Sequence, residues 1–128
     1  GGAFRNGEPC RLSTAERLED ALVATGFPSD RSTAPHNNFD AFLRVKRRVG
    51  GVRRCGSAAI DLCLVADGTY DAYWERTLSM WDVAGGAAIA LAAGARLTAL
   101  DGSVVNLNVG HVLVSNGHLH PALLELVG

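Results

Sequence analysis

The chain reads as α/β, a layered sheet flanked by helices. Strand-like and helix-like segments alternate along it, the pattern of helices packed on a sheet. Turns rich in glycine separate them at short intervals. The 128 residues supply one domain's worth of chain, enough to bury a real core without staples, so residues 1–128 are read as one unit.

Taken in order, "GGAFRNGEPCRLS" reads as the end of a hairpin, because Asn6-Gly7 is a strong turn dipeptide and the next residues run extended towards Ser13. A start in mid-hairpin is expected of the second part of something longer. "TAERLED" reads as a short polar helical turn, and "ALVATGF" as a buried strand closed by Gly26 and Pro28. "PSDRSTAPHNN" is a loop. A capping Asn37 or Asn38 then opens an amphipathic helix, "FDAFLRVKRRV", with Phe39, Phe42, Leu43, Val45 and Val49 on one side and Gly50-Gly51 as its stop. "VRRCG" is a short extended piece, and "SAAIDLCLVAD" is a helix between Gly56 and Gly68. In "TYDAYWE", Tyr70, Ala72 and Trp74 alternate with Asp71, Tyr73 and Glu75, which is the period of a strand. "SMWDVAGGAAIALAAG" is a helix ended by Gly94, its small residues suited to tight helix–sheet packing. A strand at "RLTAL", a turn at Asp101-Gly102, a strand at "HVLVSN" and a last helix from about His120 to Val127 complete the order.

Bulk composition narrows the function classes. A formal net charge of -1 gives no electrostatic reason to expect nucleic acid or an anionic membrane as partner. Residues 44 to 54 hold six of the twelve Lys and Arg, a run read first as a solvated helix face and second as a phosphate or subunit contact. Cys10, Cys55 and Cys63 are odd in number and form no Cys-x-x-Cys pair, against a disulfide framework or a zinc ribbon. Free thiols of this kind suit a reducing compartment, so cytoplasm is the expected address. The opening residues do not read as a signal peptide, and the apolar run from Val83 to Ala95 is shorter than the roughly 18 to 20 residues a bilayer requires.

Several residues are candidates for chemistry, each with a plainer alternative beside it. Asp82 stands at a helix mouth, where a carboxylate caps free N–H groups and suits the positive helix end. It lacks the Glu or Gln of a capping box, since Gly85 is three residues on. Glu75 closes a strand seven residues earlier, and two acids meeting across one loop suit a hard cation such as Mg2+. "GSAA" at 56 to 59 brings glycine and backbone N–H groups to a helix start, a place for an anion or a hydroxyl. The histidines form no convincing ligand set, and His118 and His120 are accounted for by loop and helix-start positions. No Gly-x-Ser-x-Gly elbow, P-loop or dinucleotide glycine fingerprint occurs.

Read together, "RRCGSAAIDLCLVADGTYDAYWE" and "SMWDVAGGAAIALAAGA" resemble the inositol monophosphatase family of Mg2+-dependent, Li+-sensitive phosphatases. The order Gly-Ser-Ala-Ala, helix, Asp-Ala-Tyr, Glu, then Trp-Asp-Val-Ala-Gly carries the resemblance, with weaker likeness at "GAFRNGEP", "LVATGFP" and "VLVSNGHLHPALLELV". It implies the C-terminal part of that family's αβαβα sandwich. By the same resemblance, Asp82 holds a Mg2+ ion and contacts substrate, Glu75 hydrogen-bonds a substrate hydroxyl, and Gly56, Ser57 and Ala58 line the sugar or inositol part of the pocket. Arg53 and Arg54 carry no assigned role. The family often writes Glu-Ala-Gly-Gly where residues 92 to 95 read "AAGA", a departure that should touch packing rather than chemistry.

The family's first signature, Asp-Pro-Ile/Leu-Asp-Gly-Thr, and the Glu upstream of it do not occur in this chain. A Mg2+ site needs carboxylates plus substrate phosphate and waters, and Asp82 alone does not assemble one. The resemblance therefore implies a missing N-terminal half with the other metal ligands, a homodimer, and a small phosphate monoester as substrate. Inositol 1-phosphate or a related sugar or polyol phosphate is the expected substrate of the complete enzyme, and the 128-residue chain alone is expected to be inactive. Histidinol phosphate, fructose bisphosphate or a nucleotide bisphosphate are the alternatives within the family. A non-catalytic interaction or dimerisation module is the alternative outside it.

Overall fold

The structure is a computed structural model that describes residues 2–27, 38–76, 78–106 and 109–128. The hairpin forms as expected: β1 (Phe4–Arg5) and β2 (Glu8–Pro9) pair antiparallel across Asn6 and Gly7. Both turn residues have positive φ, 50° and 82°, the backbone of a turn whose twist matches the strands it joins. A 3-10 turn at Leu18–Asp20 stands where the polar helical turn was expected.

Five strands make the main sheet. They are β3 (Leu22–Thr25), β4 (Gly51–Arg53), β5 (Ala72–Glu75), β6 (Arg96–Thr98) and β7 (Val112–Ser115), in the order β4-β3-β5-β7-β6. β4, β3 and β5 run parallel, while β7 is antiparallel to both β5 and β6. Four helices flank the sheet: α1 (Phe39–Lys46), α2 (Ala58–Ala66), α3 (Met80–Ala92) and α4 (His120–Val127). The expected α/β sheet flanked by helices is therefore present. Among the described residues no helix is long and apolar enough to cross a membrane.

Each face of the sheet has its own core. Val23, Ala72, Trp74 and Leu113 meet Ala41 and Val45 of α1 and Leu123 and Val127 of α4. Ala24, Tyr73, Val112 and Val114 point the other way, onto Leu62 and Val65 of α2 and Val83, Ala87 and Ala90 of α3. This explains the alternation in "TYDAYWE": Trp74 and Tyr73 are both fully buried, so the two sides of β5 face two cores rather than core and solvent.

Three local expectations are corrected. Asn38 precedes α1 but does not cap it with its side chain, and its own φ is 75°. Its amide instead donates to Thr25 Oγ1 and Gly26 O, both at 2.9 Å, and its Oδ1 accepts from Trp74 Nε1 at 2.7 Å. A side chain used so fully by the interior is not available to a helix end. α1 also stops at Lys46, before Gly50, and Gly51 starts β4. Phe39 and Leu43 remain 42% and 51% exposed, so the inward stripe of α1 is Ala41 and Val45 with Phe42 partly buried beside them. Finally, the Ala/Gly run of α3 serves helix–helix as well as helix–sheet contact: a Cβ on Gly86 would lie 2.8 Å from Leu62 Cβ of α2.

Candidate active site

Because β4, β3 and β5 are parallel, their carboxyl ends open on one side, and the loops that follow share a crevice there. A cavity of about 280 Å³ occupies it. Its walls come from Gly26 and Phe27 after β3, Arg54 and Gly56–Ala59 after β4, and Glu75, Leu78 and Trp81 at and beyond the end of β5.

The β4 wall is shaped by backbone. Gly56 takes φ +84°, which turns the chain into α2, and Ser57 caps the helix by accepting the Ile60 N–H at 3.4 Å. The first-turn N–H groups of Ala58 and Ala59 have no partner within the helix by construction, and both residues line the cavity. Glu75, on the opposite wall, is half-buried and accepts a hydrogen bond from Tyr73 Oη at 2.6 Å. Gly26 makes room for it: a Cβ there would fall 2.7 Å from Glu75 Cδ. Any side chain at position 26 displaces that carboxylate.

Glu75 and Gly56-Ser57-Ala58 line one cavity. Asp82 is placed by its backbone in the first turn of α3, next to Trp81; its carboxylate lies outside the described residues. The expectation of Asp82 as helix cap is corrected, since Ser79 precedes the helix and Asp82 is its third residue. His36 also lies outside the described residues. Among the described residues no three His, Cys, Asp or Glu side chains converge as a metal site. The described side chains do not by themselves make up a Mg2+ cage.

Sequence reasoning missed four participants. Trp81 is 89% exposed at the cavity rim, and a lone aromatic on an otherwise small-residue helix was the signal in the sequence. Arg54 lines the cavity and was hidden inside a basic run. Gly26 looked like a strand stop. Asp61, in α2 behind the β4 wall, is 1% exposed, and its Oδ1 has no hydrogen-bond partner among the described residues. Burial pushes its carboxyl up to about 6, with the Cys55 thiol and the Arg54 charge pulling in the opposite direction. Cys55 Sγ stands 2.8 Å from Tyr70 Oη, and this contact, with burial, pushes the phenol up to about 12. The Cys55–Tyr70 contact joins the 54–57 loop to the turn that leads into β5.

The sequence profile of the Inositol monophosphatase family matches residues 1–128. An inositol-1-monophosphatase of Synechocystis sp. is 43% identical over 97% of this chain and 43% of its own length. The Nus factor SuhB of Pseudomonas aeruginosa is 39% identical over 98% of this chain and 47% of its own length. The solved structure of inositol monophosphatase from Anabaena (Nostoc) sp. superposes with a TM-score of 0.94 at 41% identity, over 98% of this chain and 50% of that one. The chain spans about half the length of these relatives.

Proposed function

The chain belongs to the inositol monophosphatase family, and we propose that it is the C-terminal part of a Mg2+-dependent phosphatase that hydrolyses inositol 1-phosphate or a related polyol phosphate. The observation that carries this reading is the cavity at the ends of three parallel strands, where Glu75, the Gly56-Ser57-Ala58 helix mouth and the first turn of α3 meet. A cavity of about 280 Å³ suits a single small ring, at the lower end of the range for ligand pockets.

Each group has a task in that reading. Glu75 accepts a hydrogen bond from a ring hydroxyl and is held for it by Tyr73. Ser57 and the free N–H groups of the first α2 turn donate to substrate oxygens. Trp81 covers one side of the ring and excludes water from it. Asp82 contributes a carboxylate to the Mg2+ site, and the remaining ligands belong to the half that this chain does not contain. Mg2+ at such a site supplies a Lewis acid for the phosphoryl oxygens. Lithium inhibition, a homodimer and a cytoplasmic address belong to the same reading.

The test is turnover of inositol 1-phosphate by a full-length protein carrying this chain, with millimolar Mg2+, beside its Asp82→Asn variant. Hydrolysis that Li+ inhibits and Asp82→Asn abolishes is the expected result. Near-normal turnover by the variant removes Asp82 from the metal site.

A further inference from the structure

Among the described residues, Arg54 is the cation that lines the cavity. Arg5 pairs with Asp67 at 2.6 Å, Arg17 pairs with Glu19, and Arg44 and Arg76 donate to backbone carbonyls of α4. Arg54 makes no ion pair and no hydrogen bond among the described residues, yet it lines the cavity. A guanidinium is a planar fork of five donors with no acceptor, so it is built to hold two neighbouring oxygen atoms at once. The buried Asp61 carboxylate, in the first turn of α2, feels the Arg54 charge.

Position within the sheet gives the second observation. Arg54 follows β4 and Glu75 ends β5, and β3 lies between these strands. Two strand spacings separate the walls by about 10 Å, the span of a small ring with a hydrogen bond on each side. One wall then offers the donor fork of Arg54 and the other an acceptor. A polyol ring has hydroxyls that both accept and donate, and adjacent hydroxyls match the fork. An aryl or simple alkyl leaving group matches neither wall.

We propose that Arg54 is a specificity-determining residue of this site, donating its guanidinium fork to two adjacent hydroxyls on the alcohol side of a polyol phosphate, opposite Glu75. The inference rests on the phosphatase reading above and sharpens it: the site selects substrates whose alcohol carries vicinal hydroxyls. Arg54 touches the alcohol and not the phosphoryl group, so it acts on affinity for the polyol.

The experiment compares a full-length protein carrying this chain with its Arg54→Ala and Arg54→Lys variants, on inositol 1-phosphate and on p-nitrophenyl phosphate, with Mg2+. Arg54→Ala should raise KM for inositol 1-phosphate about tenfold, the usual cost of losing charged hydrogen bonds, with kcat held within about twofold. KM for p-nitrophenyl phosphate should stay within about twofold of the unmodified protein. Arg54→Lys, a point charge without the fork, should recover only part of the loss. An equal rise of KM for both substrates, or no rise for either, overturns the proposal. So does full recovery by Arg54→Lys. Calorimetric binding of inositol 1-phosphate reads the contact apart from turnover, and an affinity unchanged in Arg54→Ala also overturns it. If the unmodified protein hydrolyses neither compound, the phosphatase reading fails, while the calorimetric comparison still decides the contact.

Discussion

The two ends of the sheet are built on opposite rules. At the antiparallel end, β7, β6 and α4 enclose His120, which is fully buried and fully satisfied. Thr98 donates its hydroxyl proton to Ala99 O at 2.8 Å, so it accepts from His120 Nε2 at 2.8 Å. Ser115 Oγ then donates to Nδ1 at 2.7 Å and itself accepts the Gly117 N–H at 3.0 Å. At the parallel end, among the described residues, Asp61 keeps a buried oxygen without a partner and Arg54, exposed at the cavity, makes no ion pair. Buried polar groups in folded proteins are nearly always satisfied, so the one buried oxygen without a partner among the described residues, Asp61 Oδ1, sets the parallel end apart.

The largest expected effect belongs to the site end. In the full-length protein, Asp82→Asn should lower kcat by more than about a hundredfold, because disturbing even a group behind a metal ligand costs 10- to 100-fold. Thermal unfolding of that variant should stay close to the parent. A large loss of Tm with unchanged kcat would invert the contrast between the two ends.

The antiparallel end should answer in stability alone. His120→Ala takes one hydrogen bond from each of two buried hydroxyls and opens a cavity, at a cost of about 3 kcal/mol in denaturant unfolding. Turnover per folded molecule should be unchanged in the full-length protein.

Gly26→Ala falls between the two. The new methyl displaces Glu75, so KM for inositol 1-phosphate should rise several-fold while the strand beneath still forms. Unchanged KM would show that Glu75 has room to move without consequence.

The smallest effects are in pH dependence, and their signs oppose. Burial, with the Arg96 charge, holds His120 down at about 4 from an ordinary value of 6.5. The unfolded chain therefore binds a proton that the folded chain refuses, and this part of the stability is complete above pH 6.5 and lost as pH falls towards 4. Asp61 is raised from 3.8 to about 6, so the folded chain holds its proton longer and stability declines as pH rises through that window. Asp61→Asn should therefore raise stability at pH 7, by about 1 kcal/mol or more, and leave it nearly unchanged at pH 4. Melts at the two pH values check both signs. Destabilisation at pH 7 would mean that the ionised carboxylate is compensated in place.

The same contrast explains how much was legible in the sequence. Strands and helices of the sheet, the hairpin and α4 followed from periodicity and turn residues, since these are local signals. Glu75 and Gly56-Ser57-Ala58 were legible because a strand end and a helix start are places sequence can locate. Asn38 was misread because its partners, Thr25, Gly26 and Trp74, are distant in the chain and outcompete the helix end beside it. Arg54 and Asp61 were missed for a related reason. An arginine in a basic run and an acid in a helix's first turn both have adequate local explanations, and only packing against other elements separates them from those.

The whole reading requires that this chain supply one wall of a site completed by the rest of a full-length protein. The most direct measurement is hydrolysis of inositol 1-phosphate, with millimolar Mg2+, by the 128-residue chain and by the full-length protein side by side. Li+-inhibited turnover by the full-length protein, and none above background by the chain, is the predicted result. Comparable turnover by the chain alone would contradict it.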